Sequence, residues 1–346
     1  MTSFAHQAAH IDTEVLSTYL EKVLPDFKGP ITAEKTATGQ SNPTFLLSSP
    51  SGRYVLRKKP PGPLLKSAHQ VDREYRVMKA LQDTDVPVPR MLHLCEDPSI
   101  IGTEFFLMQF VTGQVFWDPA LPELEKAQRT KLYDEQNRAL AALHLVKPAE
   151  VGLADFGKGG SYFARQRDRW TKQYRASETE HIEDMETLSK WLAENEPPDD
   201  GRATLVHGDY RIDNMIFKSD GSRLLAVIDW ELSTIGHPFS DLAYQCMQWR
   251  FPNHETMRGL AGLDRKALGI PTEDEYIAKY CERTSISEIP HWKYCLAFSF
   301  FRLAAIVQGV KKRGLEGNAS NPEKALKSGE RVPQMARMGV EAIGTT

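Results

Sequence analysis

Residues 204–217 read TLVHGDYRIDNMIF and residues 223–232 read RLLAVIDWEL, with the turn residues SDGS at 219–222 between them. Each stretch sets a short apolar run of strand character beside polar residues. Asp209 and Asn214 stand five positions apart, and Asp229 follows Asp209 by 20 positions at the end of the run LLAVI. Strand, polar loop, hairpin and strand therefore carry a carboxylate, a carboxamide and a second carboxylate to one edge. Such a set suits a hard cation, because magnesium takes oxygen ligands and needs only one or two side chains when substrate phosphates complete its shell. A carboxylate left off the metal can orient and deprotonate a hydroxyl nucleophile. HGD alone reads equally well as a turn before a hairpin. The whole set at these offsets points to phosphoryl transfer.

Upstream of this segment the chain has two characters. Up to about residue 110 it is rich in strands. Asp12 can cap a helix carrying Leu16, Leu20, Val23 and Leu24 at helical spacing, and ITAEKTAT, TFLLSS and RYVLRKK follow as an antiparallel meander. PPGP at 60–63 breaks the sheet, a helix is expected from Ser67 to Leu81, and MLHLCE and TEFFLMQFV add two strands. Beyond Gly113 helices dominate: LEKAQRTKLYDEQNRALAALHLV, YFARQRDRWTKQYRA and a run through Trp191, interrupted only by the segment quoted first. The division near 110 predicts an α+β protein of two parts, 1–110 and 111–346.

The 346 residues carry 43 basic and 46 acidic side chains, a net charge of -3, which argues against bulk nucleic-acid binding because phosphate neutralisation needs a basic face. The N-terminal residues lack the cationic start and apolar run of a signal peptide, and Asp12 and Glu14 interrupt them. The run from Cys295 to Val310 contains Arg302 and reads as a buried helix rather than a membrane span. Cys95, Cys246, Cys281 and Cys295 form no CxxC pair, as expected of small buried residues in a reducing cytoplasm.

HGDYRIDN together with VIDWELSTIGHPFSDLAY resembles the aminoglycoside phosphotransferase and choline kinase superfamily, whose fold is similar to that of protein kinases. The resemblance implies a two-lobed protein-kinase-like fold, with a small antiparallel-sheet N-lobe for nucleotide and a larger helical C-lobe for catalysis and acceptor, and it implies ATP and Mg2+ as cofactors. It makes Asp209 the catalytic Asp, Asn214 and Asp229 the metal ligands, and His207 a brace for the loop. Arg211 matches the place of a Lys near the transferred phosphate in many protein kinases, and a plain surface arginine is its other reading. Gly39, Gln40, Ser41 and Asn42 in TGQSNPTFLL match the loop that covers the phosphates, although one glycine also fits an ordinary hairpin turn. Strand alternation puts Val55 and Arg57 on one face of RYVLRKK and Leu56 and Lys58 on the other. By the resemblance Val55 and Arg57 face the nucleotide, with Lys58 the rival should the register shift by one. In SAHQVDREYRVMKAL, Glu74 falls on the face marked by Val71, Tyr75 and Met78. A carboxylate there needs a partner, and Arg57 is the natural one; a solvated place at the rim of the face is the alternative. Asp241 matches a position that supports the catalytic loop, Glu231 could assist the metal through water, and Asp213 could simply cap the turn.

Only 11 residues separate Asp229 from Asp241, too few for a peptide-binding activation segment, and no APE sequence follows. The acceptor is therefore expected to be a small-molecule hydroxyl. VLRKKPPGPLLKSAHQVDREYRVMKAL, VGLADFGKGGSYFARQRDRW and DWELSTIGHPFSDLAY resemble the phosphotransferase group fused to, or encoded beside, acyl-CoA dehydrogenases, which implies an acyl-CoA or hydroxyacyl acceptor. The dehydrogenase itself is not expected, since the chain has no dinucleotide or flavin fingerprint. Arg165, Arg167, Arg169, Lys172 and Arg175 form a basic run that could hold the phosphates of coenzyme A, although such runs are more often solvated or paired with acids. A catalytically silent kinase fold that only binds nucleotide is the alternative to an active enzyme.

Overall fold

The computed structural model describes residues 11–36, 42–60, 69–254, 257–319 and 321–344. Helix α1 (Thr13–Val23) starts where the Asp12 carboxylate accepts the amides of Glu14 and Val15, at 3.1 and 3.0 Å. Strands β1 (Thr32–Lys35), β2 (Thr44–Ser49), β3 (Gly52–Lys58), β4 (Met91–Cys95) and β5 (Phe105–Gln109) form one antiparallel sheet in the order β1-β2-β3-β5-β4. Helix α2 (Val71–Leu81) lies between β3 and β4 in sequence. It begins later than the expected Ser67, because His69 adopts a left-handed conformation (φ 59°) that a helix cannot continue; residues 67 and 68 lie outside the described set.

Alternation along the strands gives the sheet two apolar faces. Phe45, Leu47, Leu56, Phe105 and Leu107 pack under Leu16 and Leu20 of α1. Val55, Met91, Phe106 and Met108 belong instead to a second cluster that includes Val71, Val77, Met78 and Leu81 of α2 and runs on into the helical lobe. Polar contacts reinforce that junction. Arg73 donates to the Phe156 carbonyl at 2.7 Å and stacks over the Phe156 ring, while Arg76 reaches the Gly152 carbonyl at 2.8 Å and pairs with Asp155. The Val227 amide donates to the Pro87 carbonyl at 2.8 Å.

The helical lobe contains α3 (Lys126–Leu145), α4 (Tyr162–Ser177), α5 (Glu183–Glu194), α6 (Phe239–Cys246), α7 (Glu273–Thr284), α8 (Trp292–Leu315), α9 (Pro322–Gly329) and α10 (Val332–Ile343). Helix α8 packs against α4, α6, α9 and α10. By length and composition α8 could cross a membrane, yet 67% of its most apolar window is buried inside the fold, as expected of a core helix. Two small antiparallel pairs interrupt the helices: β6 (Thr204–Val206) with β9 (Thr234–Gly236), and β7 (Met215–Phe217) with β8 (Leu224–Val227). A five-stranded sheet with one helix on its inner face, set on a larger helical body, is the two-lobed protein-kinase-like α+β architecture that the motif order predicts. The four cysteines are buried and unpaired.

Candidate active site

Strand β6 ends at Val206, and after His207 the chain turns through Gly208 with φ +85°. A Cβ at Gly208 would lie 2.6 Å from the Leu232 carbonyl oxygen, so both conformation and space require glycine. The fully buried Asp241 at the start of α6 accepts the amides of His207 and Gly208, at 2.6 and 2.9 Å. His207 donates from Nε2 to the Ile228 carbonyl at 3.0 Å, and its Nδ1 accepts the Asp209 amide at 3.1 Å. One imidazole thereby ties the loop after β6 to the end of β8.

Asp209 is the centre of this loop. Its carboxylate accepts Asn214 Nδ2 at 3.0 Å, lies 3.2 Å from Arg211 Nε and accepts a hydrogen bond from the Tyr244 hydroxyl. Burial pushes the Asp209 carboxyl up, but Arg211, His207, Tyr244 and Arg302 outweigh it and hold the group below the usual carboxylate range. Asn214 Nδ2 also donates to the Asp209 carbonyl at 2.9 Å, which leaves Oδ1 as the oxygen it can offer a cation. Arg211 pairs with Asp213 at 2.8 Å as well as with Asp209, and its side chain is 47% exposed. Asp213 is therefore more than a turn cap, and burial raises its carboxyl.

Across the cleft, β3 presents Arg57 and α2 presents Glu74, both buried and 2.5 Å apart. The Arg57 guanidinium also reaches Asp229 at 3.2 Å, and so joins the sheet to the helical lobe. Asp229 sits in the left-handed region (φ 67°), which Asp tolerates better than most residues, just past β8. Glu231 is exposed and its charge acts on both Arg57 and Glu74. Burial lowers Arg57, and Glu74, Asp229 and Glu231 raise it further, so the guanidinium stays charged. Burial together with repulsion from Asp229 and Glu231 pushes Glu74 up to about 8 against the pull of Arg57. Three carboxylates share one cation here, and a divalent ion held by Asn214 and Asp229 would offset that excess with the hard oxygen donors it prefers. Val55 lies on the Arg57 face, paired with Met108 of β5. Lys58 points to the opposite face, with Nζ 5.5 Å from the centre of the Phe45 ring, and burial lowers it. Of the four loop residues only Asn42 is described; Gly39, Gln40 and Ser41 lie outside the described residues. Asn42 is fully buried, its Oδ1 is 3.1 Å from His69 Nδ1, and its Nδ2 has no hydrogen-bond partner among the described residues.

A cavity of about 550 Å³ opens against Arg211, Asp213 and Tyr244. Its walls include Trp117, Phe251, Met257 and Leu303, and its charged lining is Arg211, Arg258, Lys324 and Arg331 against the single acid Asp213. A second cavity of about 380 Å³, around Ser161 and His237, contains no residue of the 207–214 loop. The basic run of α4 is otherwise engaged. Arg165 holds the carbonyls of Lys158 and Gly159, Arg167 pairs with Asp168 and Glu196, and Arg175 pairs with Glu178 and Glu186. Arg165, Arg167 and Arg175 are thus held by local partners, while Arg169 lies 5.2 Å from the centre of the Trp170 ring.

Matching this chain against known families gives a match over residues 32–276 to the phosphotransferase enzyme family. The chain belongs to that family. Mouse acyl-CoA dehydrogenase family member 10 is 46% identical to this phosphotransferase over 330 residues, 95% of this chain and 31% of its own length. Human acyl-CoA dehydrogenase family member 11 is 42% identical over 320 residues, 91% of this chain and 41% of its own length. The phosphotransferase thus spans less than half the length of these curated relatives. A solved structure from Ralstonia eutropha JMP134, named within the aminoglycoside phosphotransferases, superposes with a TM-score of 0.88 at 48% identity, covering 96% of this chain and 98% of that one. Spectinomycin phosphotransferase in complex with ADP and spectinomycin shares the fold, with a TM-score of 0.64 at 13% identity over 96% of this chain and 99% of that one. The fold and the family of this chain are thus those of phosphotransferases.

Two residues at its centre, Tyr244 and Arg302, escape a reading of motifs alone. Tyr244 carries no local signal beyond lying one helical turn after Asp241. Arg302 does carry one, since a single cation inside an apolar helix must find a polar partner in the core.

Proposed function

We propose that the protein uses ATP and Mg2+ to phosphorylate the hydroxyl of an anionic small molecule with an apolar chain, with a hydroxyacyl-CoA as the best-fitting acceptor. The observation that carries the acceptor class is the cavity lined by Arg211, Asp213 and Tyr244, whose charged lining is four basic side chains and one carboxylate. A polycationic aminoglycoside would meet like charge there, whereas a thioester with an apolar chain and phosphate groups finds cations at the rim and Trp117, Phe251, Met257 and Leu303 along the wall. In this reading residues 1–110 hold nucleotide and residues 111–346 supply the chemistry and the acceptor site.

Asn214 and Asp229 would hold the magnesium, which neutralises phosphate charge when bound. Arg57, braced by Glu74, aligns phosphate oxygens, and the unspent Asn42 donor suits the same ligand. Asp209 orients the acceptor hydroxyl and takes its proton. Holding reactants in line matters more here than base strength, because the transition state for phosphoryl transfer is loose.

The test is an ATP-consumption screen over hydroxyacyl-CoAs, amino alcohols and aminoglycosides, with mass detection of the product. Phosphorylated hydroxyacyl-CoA is the expected product. Turnover of aminoglycosides in preference overturns the acceptor class, and a magnesium-dependent thermal shift with ATP but no consumption on any acceptor points to a silent nucleotide-binding protein.

A further inference from the structure

Arg302 lies in the middle of α8, 5% exposed, and forms no ion pair with a carboxylate among the described residues, although its charge acts on Asp209. Buried arginines without an acid are costly, so one retained in a core has to be held by something else. Two aromatic faces hold this one: its guanidinium carbon is 5.6 Å from the centre of the Trp170 ring of α4 and 5.3 Å from that of Tyr244 of α6. From that seat its terminal nitrogen donates to the Gly208 carbonyl at 2.5 Å, across 94 positions of sequence.

Gly208 and Asp209 share a peptide unit with two polar groups. Arg302 holds its C=O, and His207 Nδ1 accepts its N–H at 3.1 Å. Asp241 fixes the preceding peptide by accepting the Gly208 amide at 2.9 Å. These contacts fix the two peptides on either side of Gly208, and Asn214 Nδ2 holds the following peptide by donating to the Asp209 carbonyl at 2.9 Å, so the backbone on both sides of the Asp209 Cα is held. Tyr244 couples the two ends of this device, since its ring seats Arg302 while its hydroxyl donates to Asp209.

We infer that Arg302 is a positioning residue for Asp209, which clamps the Gly208–Asp209 peptide from the core of the helical lobe. The inference rests on the kinase reading for its catalytic consequence, but the clamp itself does not. A cation outperforms a neutral donor here because the bond is charge-assisted, and α8 supplies a rigid base.

Arg302→Met and Arg302→Lys are compared with the wild type in steady-state phosphoryl transfer and in amide hydrogen exchange over residues 204–217. Met fills the slot between the rings without charge; Lys keeps a charge and one donor. The expected result is a folded Met variant with kcat down about 100-fold and both KM values within about twofold of wild type, and a Lys variant that regains roughly tenfold of that loss. The loop should exchange faster in Met than in Lys. Should the Met variant not fold, Lys decides: reduced kcat at constant KM supports the clamp, and wild-type kcat overturns it. A KM that climbs as kcat falls also overturns it, because Arg302 would then serve ligand binding. So does unchanged loop exchange in a folded Met variant. A wild type that phosphorylates no acceptor refutes the kinase reading alone, since exchange still reports the clamp.

Discussion

Replacing Asp241 by Asn removes one carboxylate oxygen and leaves the side-chain volume unchanged. In the wild type both oxygens are used: one accepts the His207 amide at 2.6 Å and the other the Gly208 amide at 2.9 Å, with no solvent at either. Asparagine has one carbonyl oxygen, so it satisfies one amide and turns an NH2 group toward the other. One buried N–H loses its charged acceptor and is left unpaired, at about 3 kcal/mol. That corresponds to about 6 °C in Tm, at about 2 °C per kcal/mol for a chain of this size. Because the freed amide belongs to the loop that carries Asp209, kcat should fall about 100-fold as well. Thermal unfolding and coupled ATP consumption read the two effects. The pH dependence gives a third. Burial raises the Asp241 carboxyl, but His144, His207 and the Gly208 amide pull it below its ordinary value. A carboxylate whose folded pKa is depressed contributes stability above its unfolded pKa, near 4, and loses it as pH falls through the folded value. The difference between wild type and Asp241→Asn should therefore shrink below about pH 4. A Tm within about 2 °C of wild type together with kcat within about twofold would refute this account of the loop.

Asp209→Asn should keep nucleotide binding, measured by calorimetry, and lose about 10²- to 10⁴-fold in kcat, as expected when a general base is removed; near-normal turnover rejects its role. Arg57→Met should raise KM for ATP at least about tenfold, because a charge-assisted phosphate contact is lost, while Lys58→Met leaves KM within about twofold. The opposite result would assign the phosphates to Lys58 and the Phe45 face of the strand.

The parts of the site that a reader of the sequence can find are those with short spacings. Asp209, Asn214 and Asp229 are bound together by a loop and a hairpin, so their offsets alone specify an edge. Helical period places Glu74 on the inner face of its helix, and the family resemblance, helped by strand alternation, singles out Arg57. What stays hidden is contact made by folding at long range: Arg57 meets Asp229 across 172 positions, and Arg302 meets Gly208 only once α8 has packed. Strand β9 is three residues long, too short for alternation to register, and its existence depends on pairing with β6. The basic run on α4 shows the same limit. Its charge pattern allows either a ligand cradle or pairing with acids, and the acids that pair Arg167 and Arg175 lie at 178, 186 and 196, on neighbouring segments the pattern does not include.

The anchoring of α2 bears on how this phosphotransferase can be controlled. In protein kinases the helix bearing the paired carboxylate is a moving part, and activity follows its position. Here that helix buries Val71, Val77, Met78 and Leu81 in the cluster shared with the helical lobe, and Arg73 and Arg76 rivet it to residues 152–156. Swinging it outward would break an apolar seam and both arginine contacts at once. Glu74 is thus held against Arg57 by the packing of its own helix, and any control exerted through that helix has to break this seam first.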